Sequence, residues 1–223
     1  MEIQLAKMMV ALLFIAQPLF AQGGVRDTTL DLSQLANGSR WAVFNRKASA
    51  YEDNKVKNGV FLNAKLGQGV AWLPSFELTK GVIEVDVKGK NVPQQSFVGL
   101  AFHGSEIGNY EAIYLRPFNF RAETEAGRSH SIQYIAHPSH EWRRLRAQHP
   151  GQYEAEIKPA PDPDDWIHLR VELNGPTVRA FINNASEPAL EVDRIGAKEG
   201  GWIGLWVGHN SDGTFANLNV SPK

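Results

Sequence analysis

The segment YEAIYLRPFNF, Tyr110 to Phe120, sets residues able to recognise a ligand at every second position. Ile113 and Leu115 fall on one face of an alternating strand, and Tyr110, Ala112, Tyr114 and Arg116 fall on the other. A plain solvated face does not usually carry two phenols and a guanidinium. Two further segments share the property. In SFVGLAFH, Val98, Leu100 and Phe102 alternate with Phe97, Gly99, Ala101 and His103; in GWIGLWVG, Ile203, Leu205 and Val207 alternate with Trp202, Gly204, Trp206 and Gly208. Aromatic rings stack on the C–H faces of sugars, planar Arg and Asn groups bond sugar hydroxyls, and small residues admit a ligand close to the backbone. The competing reading is that loops or a helix cover these faces and make them a second small core. Three strands with the same property favour the shared floor of a saccharide site.

The expected binding residues are His103, Tyr110, Tyr114, Arg116, Asn119, Trp142 and Arg146. Asn119 follows Pro117, which ends the alternation, so it belongs at the rim. Trp142 and Arg146 stand four residues apart in SHEWRRLRAQHPG, one shared face of a short helix. That helix is expected to be capped by Ser139 and ended by Pro150 and Gly151. Arg143 and Arg144 read as its solvated side.

Other chemistry is weaker. By parity Glu111 falls on the core side with Ile113 and Leu115, so it needs a partner such as an arginine or its pKa rises. A structural salt bridge is the commoner outcome, a general acid the rarer one. Glu154 is a second acidic candidate, and no template assigns a catalytic role to either. His137 and His140 in HPSH offer two metal ligands with broken spacing, and no metal is expected. Asn210 and Asp212 in HNSDGTF suit calcium oxygen ligation, but more simply a turn. Neither a phosphate loop nor a nucleophile elbow is present, and no cofactor is expected.

The elements that must position these residues are strands. GVIEVDVKG and WIHLRVELN alternate apolar and polar residues, and TVRAFIN follows across Asn174-Gly175-Pro176 as a hairpin. With NGVFLNA, GVAWLP, FELT, SIQYIA, YEAEIK and TFANLNV there are about a dozen short strands, the pattern of a sandwich. KPAPDPDD, residues 158–165, reads as a surface loop.

The 223 residues, 43% hydrophobic and 21% charged, suit one large domain, expected over residues 22–223. A formal net charge of −1 gives no electrostatic case for nucleic acid. With no cysteine, disulfides and thiolate chemistry are excluded. Lys7, the apolar run MMVALLFIA and Ala21 read as a signal peptide over residues 1–21. The chain is therefore expected to be exported to the periplasm, cell surface or medium, with no membrane partner after cleavage.

GVIEVDVKG, the WIHLRVELNG–TVRAFIN hairpin, GGWIGLWVG and TFANLNV together resemble the concanavalin A-like lectin/glucanase superfamily, in the strand order of laminin-G-like and 3-keto-disaccharide hydrolase-like domains. The resemblance spans residues 25–221 and is one of pattern. It implies an all-β jelly-roll sandwich of two antiparallel sheets, with a glycan on the concave one. The paired glutamates of laminarinase-type members have no counterpart here. EVDVKG supplies Glu84 and Asp86 but sets Lys88 and Gly89 where the second glutamate belongs. Three functions follow as expectations: a saccharide- or polysaccharide-recognition domain, a hydrolase cleaving glycosidic bonds, and a laminin-G-like protein-interaction domain.

Overall fold

The computed structural model describes residues 27–38 and 40–223. The expected signal peptide lies outside them. Strand β1 (Thr28–Leu30) is followed by helix α1 (Ser33–Ala36), then by β2 (Ala42–Phe44), β3 (Ala48–Tyr51), β4 (Gly59–Leu62), β5 (Gly69–Leu78) and β6 (Gly81–Lys88). Next come β7 (Val98–Glu106), β8 (Asn109–Leu115), a 3-10 turn at Pro117–Asn119, α2 (Glu125–Arg128), β9 (Ile132–His137) and α3 (Trp142–Gln148). The chain closes with β10 (Glu154–Ala155), β11 (Ile167–Asn174), β12 (Thr177–Ile182), β13 (Leu190–Asp193), β14 (Gly201–Val207) and β15 (Gly213–Pro222).

The strands form two antiparallel sheets, a jelly-roll sandwich. One runs β13-β12-β11-β6-β15-β4-β3, with β1 also paired to β15; the other runs β10-β9-β8-β7-β14-β5-β2. Alternation explains the core. Ile83, Val85 and Val87 of β6 and Ile167, Leu169, Val171 and Leu173 of β11 are fully buried, facing inward with Val98, Leu100, Ile113, Leu115, Ile203, Leu205 and Val207 of the second sheet. The hairpin at Gly175 and Pro176 is present, Asn174 pairing with Thr177 and Gly175 adopting φ +71°.

Local departures from the expected elements have identifiable causes. GVAWLP and FELT are one strand, β5, whose register against β14 breaks between Trp202 and Ile203; Pro74 sits in that break, where no ladder N–H is needed. YEAEIK pairs over only Glu154 and Ala155. Helix α3 begins after Glu141, which makes no side-chain cap bond, so Ser139 is not its cap. Instead His140 and Ala136 exchange backbone hydrogen bonds, and this tight return sets Leu145 inward and lays α3 beside β9.

Candidate functional site

The three strands with unusual outer faces are neighbours, in the order β8-β7-β14. One rung crosses the whole seven-stranded sheet: Glu154, Gln133, Tyr114, Gly99, Trp206, Val70 and Phe44 are successive cross-strand partners. Partners across a ladder share a face, so these side chains all stand on the side away from the sandwich core. The rung is graded, charged and polar at β10 and β9, aromatic and aliphatic toward β2.

Above its charged half lies a cleft of about 730 Å³, walled by α3, by the turn after β8 and by the loops that carry Gln68, Gln94 and His209. Its floor is Tyr114 and Trp206; its walls include Phe97, Phe118, Asn119, His130, His137, Trp142, Arg143 and Arg146.

Arg116 is the centre of the polar wall. Its Nη2 donates to Tyr114 Oη at 2.8 Å and to Gln133 Oε1 at 3.1 Å, and its Nη1 donates to the His130 carbonyl at 2.9 Å. Arg116 is only 5% exposed, and its nearest carboxylate oxygen, Glu154 Oε2, is 4.0 Å away. Burial lowers the pKa of Arg116, although a guanidinium stays charged. Glu154 is held instead by Arg146, with Nε–Oε1 at 2.9 Å and Nη2–Oε2 at 2.6 Å. His130 Nδ1 lies 2.9 Å from Glu154 Oε2, yet burial outweighs that carboxylate and holds the imidazole below its usual pKa. Asn119 Nδ2 donates to the His130 carbonyl at 3.2 Å. The guanidiniums of Arg143 and Arg146 lie 4.6 and 4.9 Å from the centre of the Trp142 ring.

Of the expected site residues, Tyr114, Arg116, Asn119, Trp142 and Arg146 line this one cleft, and His103 and Tyr110 do not. Tyr110 is sealed. It packs edge-on to Trp72 at 5.4 Å, accepts a hydrogen bond from Trp206 Nε1 at 3.0 Å and is faced by His137 at 5.1 Å. His103 is turned the other way by a bulge in β7, where its own φ is +51°. Strict alternation assigns it to the outer face, but the extra residues of the bulge carry it to the core side, with Nδ1 3.0 Å from Glu111 Oε1.

The small residues of the floor serve packing rather than ligand approach. A Cβ on Gly204 would lie 2.7 Å from Val70 Cγ1 and 2.8 Å from Trp72 Cε3, and one on Gly208 would lie 2.6 Å from Phe97 Cβ. Tyr114 likewise has its ring covered by Trp206, 4.7 Å away, and by the Arg116 guanidinium at 4.9 Å. The aromatic surface left open to a ligand is that of Phe97, Phe118 and Trp142, all partly exposed.

Glu111 is spoken for. Arg194 reaches Oε1 through Nη2 at 2.5 Å and Oε2 through Nε at 3.0 Å, and Tyr134 donates its hydroxyl to Oε2 at 2.5 Å. Burial alone would raise its pKa, but the bonds from His103, Arg194 and Tyr134 prevail and hold it below the usual glutamate range. Glu84 and Asp86 belong to the other sheet, where His168 bridges them, Nδ1 lying 2.8 Å from Asp86 and Nε2 3.5 Å from Glu84. Asp212 pairs with Lys90 at 2.7 Å, and no group of three or more metal-ligating side chains occurs among the described residues.

Sequence reasoning missed several cleft residues. Gln133, outside the lining itself, holds Arg116 Nη2, and its place follows from register as the β9 partner of Tyr114. Phe97 stands on the outer face of SFVGLAFH and is legible there by alternation. His130 and Phe118 sit in irregular turns with no periodic signal, while Arg143 is exposed as expected and also lies against Trp142 at the cleft.

No family model matches the sequence, and no curated protein matches it. Solved structures do. The carbohydrate-binding module CBM66 from Bacillus subtilis superposes with a TM-score of 0.58 at 14% identity, over 82% of this chain and 96% of that one. The exoplasmic/lumenal domain of VIP36, in its calcium- and mannose-bound form, gives 0.53 at 14% identity, over 81% and 82% of the two chains. The kappa-carrageenase from Pseudoalteromonas carrageenovora, in complex with an oligotetrasaccharide of kappa-carrageenan, gives 0.53 at 13% identity, over 92% and 98%. At such identities the likeness is one of fold, a jelly-roll sandwich of two antiparallel sheets.

Proposed function

We propose that this chain is an exported carbohydrate-recognition domain that binds a saccharide in the cleft beside α3. The observation that carries the reading is the composition of the cleft: open aromatic edges of Phe97, Phe118 and Trp142 stand beside planar donors of Arg116, Asn119 and Arg146. An apolar ring face with equatorial hydroxyls needs that pairing of surfaces. The fold adds support at a general level, because a carbohydrate-binding module, a mannose-bound exoplasmic/lumenal domain and a carrageenase in complex with a carrageenan oligosaccharide share it.

Binding is favoured over cleavage by the carboxylates. A glycosidase needs two, about 5–10 Å apart across the scissile bond. The cleft lining holds one, Glu141, and Glu154 behind it is engaged by Arg146. The test is a screen of oligosaccharides that reads binding and reducing-end release together. Binding without release, lost on Trp142→Ala and on Asn119→Ala, is expected. Release of reducing ends would move the assignment to a hydrolase. Binding that survives both substitutions would place the saccharide elsewhere.

A further inference from the structure

The cleft carries an excess of positive charge. Arg116, Arg143 and Arg146 bring three permanent cations to it, against the carboxylates of Glu141 and Glu154. The chain as a whole has a formal net charge of −1, so the excess is local. Nor are the charges evenly neutralised. Glu154 gives both oxygens to Arg146, while the hydrogen bonds of Arg116 go to neutral oxygens of Tyr114, Gln133 and His130. Arg143 forms no ion pair with any described residue and rests on the Trp142 ring. A guanidinium as enclosed as Arg116, with its nearest carboxylate 4.0 Å off and shared, sits in a field that a neutral ligand cannot relieve.

We infer that the saccharide bound in this cleft is acidic, carrying a carboxylate or a sulfate ester directed at Arg116 and Arg143. The inference rests on the saccharide reading of the cleft and narrows it. Both groups present coplanar or near-coplanar oxygen pairs that a guanidinium fork binds, and both bring the missing negative charge. An anion there also improves the electrostatic environment of a cation already desolvated by the fold, whereas the hydroxyl of a neutral sugar leaves that charge uncompensated. Trp142, held between the ring contacts of two arginines, then acts as a positioning surface for the cations as much as a stacking surface for the sugar.

The test uses the folded chain and three sets of oligosaccharides of matched length: neutral, uronic acid-containing and sulfated. Titration calorimetry follows on the best ligand and on the same ligand with its carboxylate reduced or its sulfate removed. Hits confined to the acidic sets are expected, with about a tenfold loss on removing the charge, or about 1.4 kcal/mol. Arg143→Gln, at an exposed position, is expected to weaken the acidic ligand about fivefold, and to weaken it more than its neutral counterpart. The uronate and sulfate arms separate the two sources of the anion. Equal binding of the charged and neutral forms overturns the inference, as does an Arg143→Gln variant that binds the acidic form like the parent. If a neutral saccharide binds and Trp142→Ala abolishes it, the cleft reading stands and the acidic one fails. If no set yields a ligand, both fail.

Discussion

Two carboxylates of this protein sit in nearly the same company and do different work. Glu111 and Glu154 each meet an arginine, a histidine and the neighbourhood of a tyrosine. Glu111 lies on the core side of β8, where Arg194, Tyr134 and His103 fill both of its oxygens. Every polar group there is consumed inside the fold. Glu154 lies on the outer face, with two guanidiniums to its one charge and a cleft alongside. Residue type does not separate the two clusters. Saturation does: a network that closes on itself is structure, and one left with a surplus of donors facing a cavity is available for a ligand.

The largest effect should come from breaking the closed network. Glu111→Ala strands Arg194 and His103 without their anion, and an unfolding titration should show a loss of about 3 kcal/mol, while the folded variant binds saccharide like the parent. A variant of unchanged stability would mean that the network is not structural. Next is the open cluster. Trp142→Ala should cost saccharide affinity about tenfold or more at a stability cost of about 1 kcal/mol, because the ring is partly exposed and covers little core.

Glu154→Gln sharpens the contrast by removing the carboxylate that, among the described residues, Arg116 and Arg146 share. Its stability cost should be smaller than that of Glu111→Ala, about 1 kcal/mol, since Arg146 reaches solvent. Affinity for an acidic saccharide should rise a few-fold as the surplus charge grows. The smallest effects are pH slopes of stability. Trp166, Tyr51 and the backbone N–H groups of Lys55 and Val56 bond Asp53, outweigh its desolvation and pull its pKa to about 2. Glu111 is depressed too. Depressed carboxylates give stability that is complete above their unfolded pKa of about 4 and lost as pH falls toward their folded values. His168 has the opposite sign. The hydrogen bond to Asp86 outweighs burial and raises its pKa, so its contribution is complete below about pH 6.5 and lost as pH rises through the folded value. Unfolding midpoints across pH should show an acid limb that flattens in Glu111→Gln, and a shallow decline above neutrality that disappears in His168→Asn.

The sandwich was legible because its strands alternate cleanly. β6 and β11 bury every second residue, and the hairpin between β11 and β12 announces itself at Asn174 and Gly175. The outer faces of β7, β8 and β14 could also be read, because alternation that assigns Ile113 and Leu115 inward leaves Tyr114 and Arg116 to face out. The reading failed where the backbone leaves its period. His103 crosses sides at a bulge that no local residue pattern marks. Tyr110 faces outward as expected but is sealed by Trp72, a β5 residue brought near only by tertiary packing. His130 and Phe118 enter the cleft from turns, and the use of Gly204 and Gly208 to seat aromatic rings depends on residues far along the chain.

We propose the cleft beside α3 as the saccharide site. Its most direct measurement is the indole N–H spectrum of the six tryptophans during titration with the best oligosaccharide from the screen. The signals of Trp142 and Trp206, which line the cleft, should shift with one saturation curve, while that of Trp166, packed with Tyr51 and Asp53, stays fixed. A curve that saturates while Trp142 and Trp206 do not move would contradict it.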